Sequence, residues 1–200
     1  MFPGQYYHLF NYSNGFEYLF NEKRNYDFFL SKLLKYIVPV CKIFSYSLVP
    51  DQYHIVLQVR SIEELLEFYK SEIPKQNVEL LFLDDYLEKK VSKSFSNMFN
   101  SYAQSYNKWN MRHGSLFMQN MRKEIIRSED EFRAMIYSTH ITPIEFGYVK
   151  RIEDWPFSSY QSLLCSSLTH LEREFVLDIF GGIDLFIRYH QQSLSLKLKG

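Results

Sequence analysis

Two side chains able to ligate a divalent cation stand two residues apart in the stretch VPDQYHIVLQVR, residues 49–60: Gln52 and His54. The stretch alternates as a half-buried β-strand does. Period two puts Tyr53, Ile55, Leu57 and Val59 on one face, toward packed helices, and Gln52, His54, Val56, Gln58 and Arg60 on the other. A His-x-His pair in that register would set two imidazoles side by side on one metal. Here the first position is an amide, which can coordinate hard Mg²⁺ or Mn²⁺ but is a weaker and less common ligand than imidazole. Three readings stay open: a metal site, the remnant of one, or an ordinary strand with a hydrogen-bonding histidine.

A second set of chemically capable residues lies between Ala103 and Arg127. Lys108, Arg112, Arg122, Lys123 and Arg127 face one acid, Glu124, for a net charge of +4. Tyr102, Tyr106, Trp109 and His113 interleave with them, and Lys150 and Arg151 form a second small cluster. Cations meet phosphates and aromatic rings stack on unpaired bases, a combination suited to single-stranded or hairpin DNA. The same pattern also describes a solvated amphipathic helix and loop. Over the whole chain 23 acidic residues balance 23 basic ones, so a nucleic-acid surface must come from such local clustering.

The elements that would position these residues follow from periodicity. QYYHLFNY reads as a first strand and SNG as a turn. Asn25 can cap a helix carrying Tyr26, Phe29, Leu30, Leu33 and Ile37, which stops before Pro39. KIFSYSLV alternates with Phe44, Tyr46 and Leu48 on one face, and PDQ connects it tightly to YHIVLQV. Ser61 and Glu64 form a capping box for a short helix. A long helix with the stripe Leu87, Val91, Phe95, Met98, Phe99, Tyr102 and Tyr106 follows IPKQNVELLFLDD, then a loop and a strand. Ser128 and Glu131 form a second capping box, for a helix running to the ITP before Ile144, and two short helices split by Gly181 and Gly182 close the chain. The order β–α–β–β–α, with hairpin signals, predicts an α+β sandwich of the ferredoxin-like, split βαβ type. Its antiparallel sheet carries helices mainly on one face and leaves the other open. Residues 1–155 form that domain and 156–200 a C-terminal helical extension packed on it.

Cys41 and Cys165 fit no metal spacing or disulfide framework and read as buried or inert thiols in a reducing compartment. The N-terminus has no basic segment ahead of a long apolar run, and no apolar run reaches membrane-span length. A cytoplasmic protein without a membrane partner is expected.

In this order the segments QYYHLFNYSNGFEYLFNEKRNYDFFL, FSYSLVPDQYHIVL, SFSNMFNSYAQSYNKWNMRHGSLFMQNMRKEII and MIYSTHITPIEFGYVKRIEDWPFSSYQSLL resemble the REP-associated tyrosine transposases, a branch of the HUH single-strand DNA transposases. The resemblance covers nearly the whole chain. It implies a divalent metal held by paired histidines and a helix residue, and a helix tyrosine that forms a covalent 5′-phosphotyrosine link with DNA. Carried over by position, the first histidine falls on Gln52 and the second on His54. The helix motif Tyr-Ile-His-Leu-Asn-Pro falls on Ser138 to Pro143, so Ser138 stands at the nucleophile position and Thr142 at the helix ligand position. The usual Asn-Arg-Gly is Asn11, Tyr12, Ser13. Tyr137 could substitute only by rotation or a one-residue slip of its helix, since each residue turns about 100°. The resemblance therefore implies a transposase-like protein, monomer or homodimer, that binds hairpin or single-stranded DNA through Lys108, Trp109, Arg112, His113, Arg122, Lys123, Arg127, Lys150 and Arg151. Its cleavage chemistry is impaired, with Mg²⁺ or Mn²⁺ relevant only to residual activity. An active transposase using Tyr137 and a non-catalytic protein-interaction relic are the alternatives.

Overall fold

The computed structural model describes residues 1–15, 17–71 and 83–197. Four strands, β1 (Tyr6–Tyr12), β2 (Cys41–Val49), β3 (Gln52–Val59) and β4 (Arg122–Ile126), form one antiparallel sheet in the order β2-β3-β1-β4. The helices among the described residues are α1 (Lys23–Tyr36), α2 (Ile62–Tyr69), α3 (Leu83–Trp109), α4 (Glu129–Glu145), α5 (Tyr160–Leu164), α6 (Arg173–Ile179) and α7 (Ile183–Lys197). This is the α+β sandwich that the sequence predicts, with a helical C-terminal region. IPKQNVELLFLDD falls largely outside the described residues.

The first core lies between the sheet and α1 and α3. Tyr53, Ile55, Leu57 and Val59 of β3 point into it, as their alternation requires, and meet Phe29 and Leu33 of α1 and the α3 stripe from Leu87 to Tyr106. Phe29 is its hub, with ring centroids 5.2 Å from Tyr102 and 5.3 Å from Tyr53 and Phe20. The buried Tyr102 satisfies its hydroxyl by donating to Leu19 O at 2.6 Å. The cap of α1 is Glu22 rather than Asn25. Asn25 sits one turn inside and reaches back, its Oδ1 accepting from the amides of Asn21 and Glu22.

Phe44 departs from the simple alternation of β2. The pairing with β3 shifts between Ile43 and Ser45, so one extra residue is inserted. Such a bulge flips parity. Tyr46 and Leu48 therefore face the first core, whereas Phe44 joins a second one on the opposite face. That face is not left open. Phe132 and Ile136 of α4 pack on it with Phe44 and Val56, joined by Val176, Phe180 and Phe186 from the chain's last helices.

Helix α4 begins at Ser128, whose hydroxyl accepts from Glu131 N at 3.1 Å, while the Glu131 carboxylate turns to Arg127 N rather than to its own cap. The helix passes through Pro143 to Glu145 and is closed by the next residues, where Gly147 N bonds Ile144 O and Tyr148 N bonds Pro143 O. A φ of +75° at Gly147 makes this a Schellman stop, placed by the glycine and not by the proline. Helix α6 ends the same way: Gly181 N bonds Asp178 O, Gly182 N bonds Leu177 O, and Gly181 has φ +80°. A Cβ at Gly181 would also lie 2.8 Å from Leu185 Cδ1. Gly181→Ala is expected to cost roughly 1–2 kcal/mol, read as a lower urea midpoint at unchanged slope.

Candidate functional site

Gln52 and His54 share the second face of β3, and β1 brings a residue the sequence reading missed beside them. His8 Nε2 lies 3.1 Å from His54 Nδ1, His54 Nε2 lies 3.1 Å from Gln52 Oε1, and His8 Nδ1 lies 3.3 Å from Glu124 Oε2 of β4. The four side chains form one line across three strands. Register explains it: His8 pairs with Glu124 on one side and Phe10 with His54 on the other. The alternation of Tyr6, His8, Phe10 and Tyr12 was the available signal.

Burial pushes the pKa of His8 down against the opposing pull of Glu124, and burial together with His8 lowers His54 to about 3. Both rings are therefore neutral at pH 7, and His8–Glu124 is a hydrogen bond and not an ion pair. The carboxylate can only accept, so His8 carries its proton on Nδ1 and accepts at Nε2 from His54 Nδ1–H. His54 Nε2 then needs a donor. Turning the Gln52 amide end for end supplies one from its NH₂ group, whereas keeping Oε1 toward His54 would require one of the two rings to be doubly protonated. Gln52 is 1% exposed, and its Nε2 as placed is buried without a partner.

This arrangement does not fit a divalent ion. The outer nitrogen of His54 and the near end of the Gln52 amide engage each other. The hydroxyl of Thr142, at the helix ligand position, is bonded to Ser138 O in its own helix at 3.0 Å. Among the described residues no three His, Cys, Asp or Glu side chains are grouped to hold a metal. The rings beside these groups form a stack. The His8, Phe10 and His54 rings lie 5.0–5.5 Å apart and within 22° of parallel, with the Arg122 guanidinium 5.8 Å from Phe10 and 5.5 Å from Tyr12.

Ser138 is half-buried on α4. Tyr137 points to the C-terminal helix, its ring 6.0 Å from Tyr189 and 5.5 Å from His190, with a buried hydroxyl. His140 belongs to a different network. His190 Nδ1 donates to Phe186 O at 2.8 Å, His140 Nδ1 donates to His190 Nε2 at 3.0 Å, and Ser159 Oγ donates to His140 Nε2 at 2.8 Å. The first carbonyl fixes every proton in that chain.

The basic stretch is divided by the fold. Tyr102 and Tyr106 are core residues, closed to stacking, with hydroxyls bonded to Leu19 O and Tyr18 O. Arg112 is a clamp: it pairs with Glu17 and bonds Asn107 Oδ1 and Ser115 O, so it is not a free phosphate ligand. Trp109 packs edge-on against Phe28 and under the Arg24 guanidinium. Lys108, His113, Arg122, Lys123 and Arg127 are exposed, as are Lys150 and Arg151, the last paired with Glu153 at 3.5 Å. Arg122 and Lys123, adjacent on β4, project to opposite faces. Cys41 is buried as expected, but Cys165 is at the surface. There hydrogen bonding from Ser167, with Arg173 nearby, lowers its thiol pKa.

A four-stranded antiparallel sheet with α1 and α3 on one face and α4 with the C-terminal helices on the other defines the fold class. A solved structure of a REP-associated tyrosine transposase bound to a REP hairpin has that fold: it aligns with 84% of this chain and 84% of its own, at TM-score 0.53 and 15% identity. No family model matches the chain, and no curated protein matches it significantly. No described helix is long and apolar enough to cross a membrane.

Proposed function

We propose that this protein binds hairpin or single-stranded DNA through the surface formed by the end of α3, the loop after it and β4, and that it does not carry out metal-assisted tyrosine cleavage. One observation carries the reading: the groups at the cleavage positions are turned onto each other or into the fold, while Lys108, Arg122 and Lys123 stay exposed with no carboxylate in ion-pair reach among the described residues. The fold shared with a structure bound to a REP hairpin supports DNA as the partner. The binding unit is a monomer or homodimer.

The test is binding of the purified protein to labelled hairpin, single-stranded and duplex DNA at 50 and 200 mM salt, with and without Mg²⁺. Four phosphate contacts would weaken binding across that interval by about 50-fold on a single strand and about 150-fold on a duplex stem. Hairpin is expected to bind better than duplex, Mg²⁺ to make no difference, and Lys123→Ala to flatten the salt slope by about one contact. Absence of binding at low salt would overturn the proposal. A Mg²⁺-dependent covalent adduct lost in Tyr137→Phe would restore the active-transposase reading.

A further inference from the structure

We infer that the pocket where β4 turns into α4 binds a small planar aromatic carboxylate; the inference stands apart from the DNA-binding reading above. The pocket has a volume of about 250 Å³. Three rings wall it: Tyr6 at the start of β1, Phe132 near the start of α4 and Phe175 on α6. Arg127, Ser128 and Glu129 supply its polar lining.

The rings are set at right angles and in parallel. Tyr6 and Phe175 stand within 17° of parallel with centroids 6.4 Å apart. Phe132 is turned 87° to the first and 88° to the second, at 5.8 and 5.9 Å. Phe44, 1% exposed, lies 5.0–5.5 Å from all three without lining the pocket, whereas Phe175 stays 40% exposed. Near-parallel faces with a ring edge-on to both offer a flat guest the two arrangements that aromatic pairs favour. An apolar cavity of about 150 Å³ accepts benzene. This pocket therefore has room for a ring with a carboxylate, but falls short of the roughly 300 Å³ at which larger ligands begin to be held.

The charge of the guest follows from which polar groups are already engaged. Three carboxylates open α4, and each has a partner: Arg133 holds Glu129 and Asp130, and Glu131 accepts from Arg127 N at 2.7 Å. Arg133 also donates to Ile179 O at 2.9 Å, which fastens α6 to α4. The exposed Arg127 guanidinium makes no ion pair among the described residues. Ser128 Oγ accepts from Glu131 N at 3.1 Å and still has its own proton to give. A guanidinium and a hydroxyl donor on adjacent residues suit a carboxylate, which accepts at both oxygens. A ring bearing an ammonium group would meet Arg127 as a like charge, and a neutral ring would leave the guanidinium without a partner.

The experiment titrates the full chain with benzoate, indole-3-carboxylate, benzamide, benzamidinium and acetate, followed by ligand-observed NMR at low salt. Both aromatic acids are expected to bind with a Kd of about 1 mM or tighter, and the other three at least about ten-fold more weakly. Arg127→Ala should bring benzoate and benzamide within about three-fold of each other. Phe175→Leu keeps an apolar side chain on α6 but removes the ring, and should weaken benzoate about five-fold. Thermal melts check that each variant is folded. Arg127 bonds the protein only through its backbone, so its substitution leaves the fold in place and decides the matter if Phe175→Leu does not fold. No saturation by either acid up to about 10 mM would overturn the inference. So would equal binding of benzoate and benzamide to the native protein, or an Arg127→Ala protein that still separates them.

Discussion

Between pH 7.5 and pH 5.5 the protein loses about 3 kcal/mol of folding free energy through two histidines that never meet solvent. His140 is 0% exposed and His190 1% exposed, and burial is the main force lowering both, His190 to about 4 and His140 well below the ordinary value with His190 adding to its shift. The groups facing them are Ser159, Tyr160, Phe180, Phe186 and Tyr137, none of which brings a carboxylate. Folded, both stay neutral through this interval; unfolded, each titrates near pH 6.5. The unfolded chain therefore binds more protons as pH falls, and stability falls with it at about 1.4 kcal/mol per pH unit per group below 6.5, until the folded groups themselves protonate. His8 and His54, also lowered, act in the same direction. The urea midpoint at the two pH values decides it. Equal midpoints would mean that the pair is protonated or hydrated in the folded protein.

Phe132→Ala should cost about 3–5 kcal/mol and still leave hairpin affinity within about two-fold at a temperature where the variant is folded. Phe132 is buried where α4 meets the sheet, with ring centroids 5.0 Å from Phe44, 5.8 Å from Tyr6 and 5.9 Å from Phe175. It belongs to the second core, whereas α3 and its following loop rest on the first. The sheet separates the two, so a void under α4 does not move the end of α3 or the loop after it. Chemical denaturation measures the first half of this prediction and binding at low temperature the second. A collapse of affinity in the folded variant would show that α4 takes part in the DNA surface.

The alternation of β3 was legible because each of its faces packs on something: Tyr53 and Ile55 on one side, Val56 on the other. The stripe of α3 was legible for the same reason. Phe44 was misplaced because a bulge leaves no mark in local periodicity; only its partner strand reveals the extra residue. The link of Glu124 and His8 to His54 is not legible in the sequence because it is one of cross-strand register. Arg112 reads as a free cation in the sequence because Glu17, which pairs with it, is remote along the chain. The pairing of His140 with His190 leaves no local mark either, since His190 lies on the last helix of the chain. In each case the missing information was which segments meet.

The extra residue at Phe44 also bears on how this chain compares with others. A protein of the same fold without the bulge is one residue shorter between α1 and the turn at Pro50. The two sequences then come into phase on both sides of β2 only with a single-residue gap inside the strand. An alignment that forbids gaps in strands will pair residues from opposite faces of β2 on one side of the insertion, and will score as mismatch what the folded sheets superimpose.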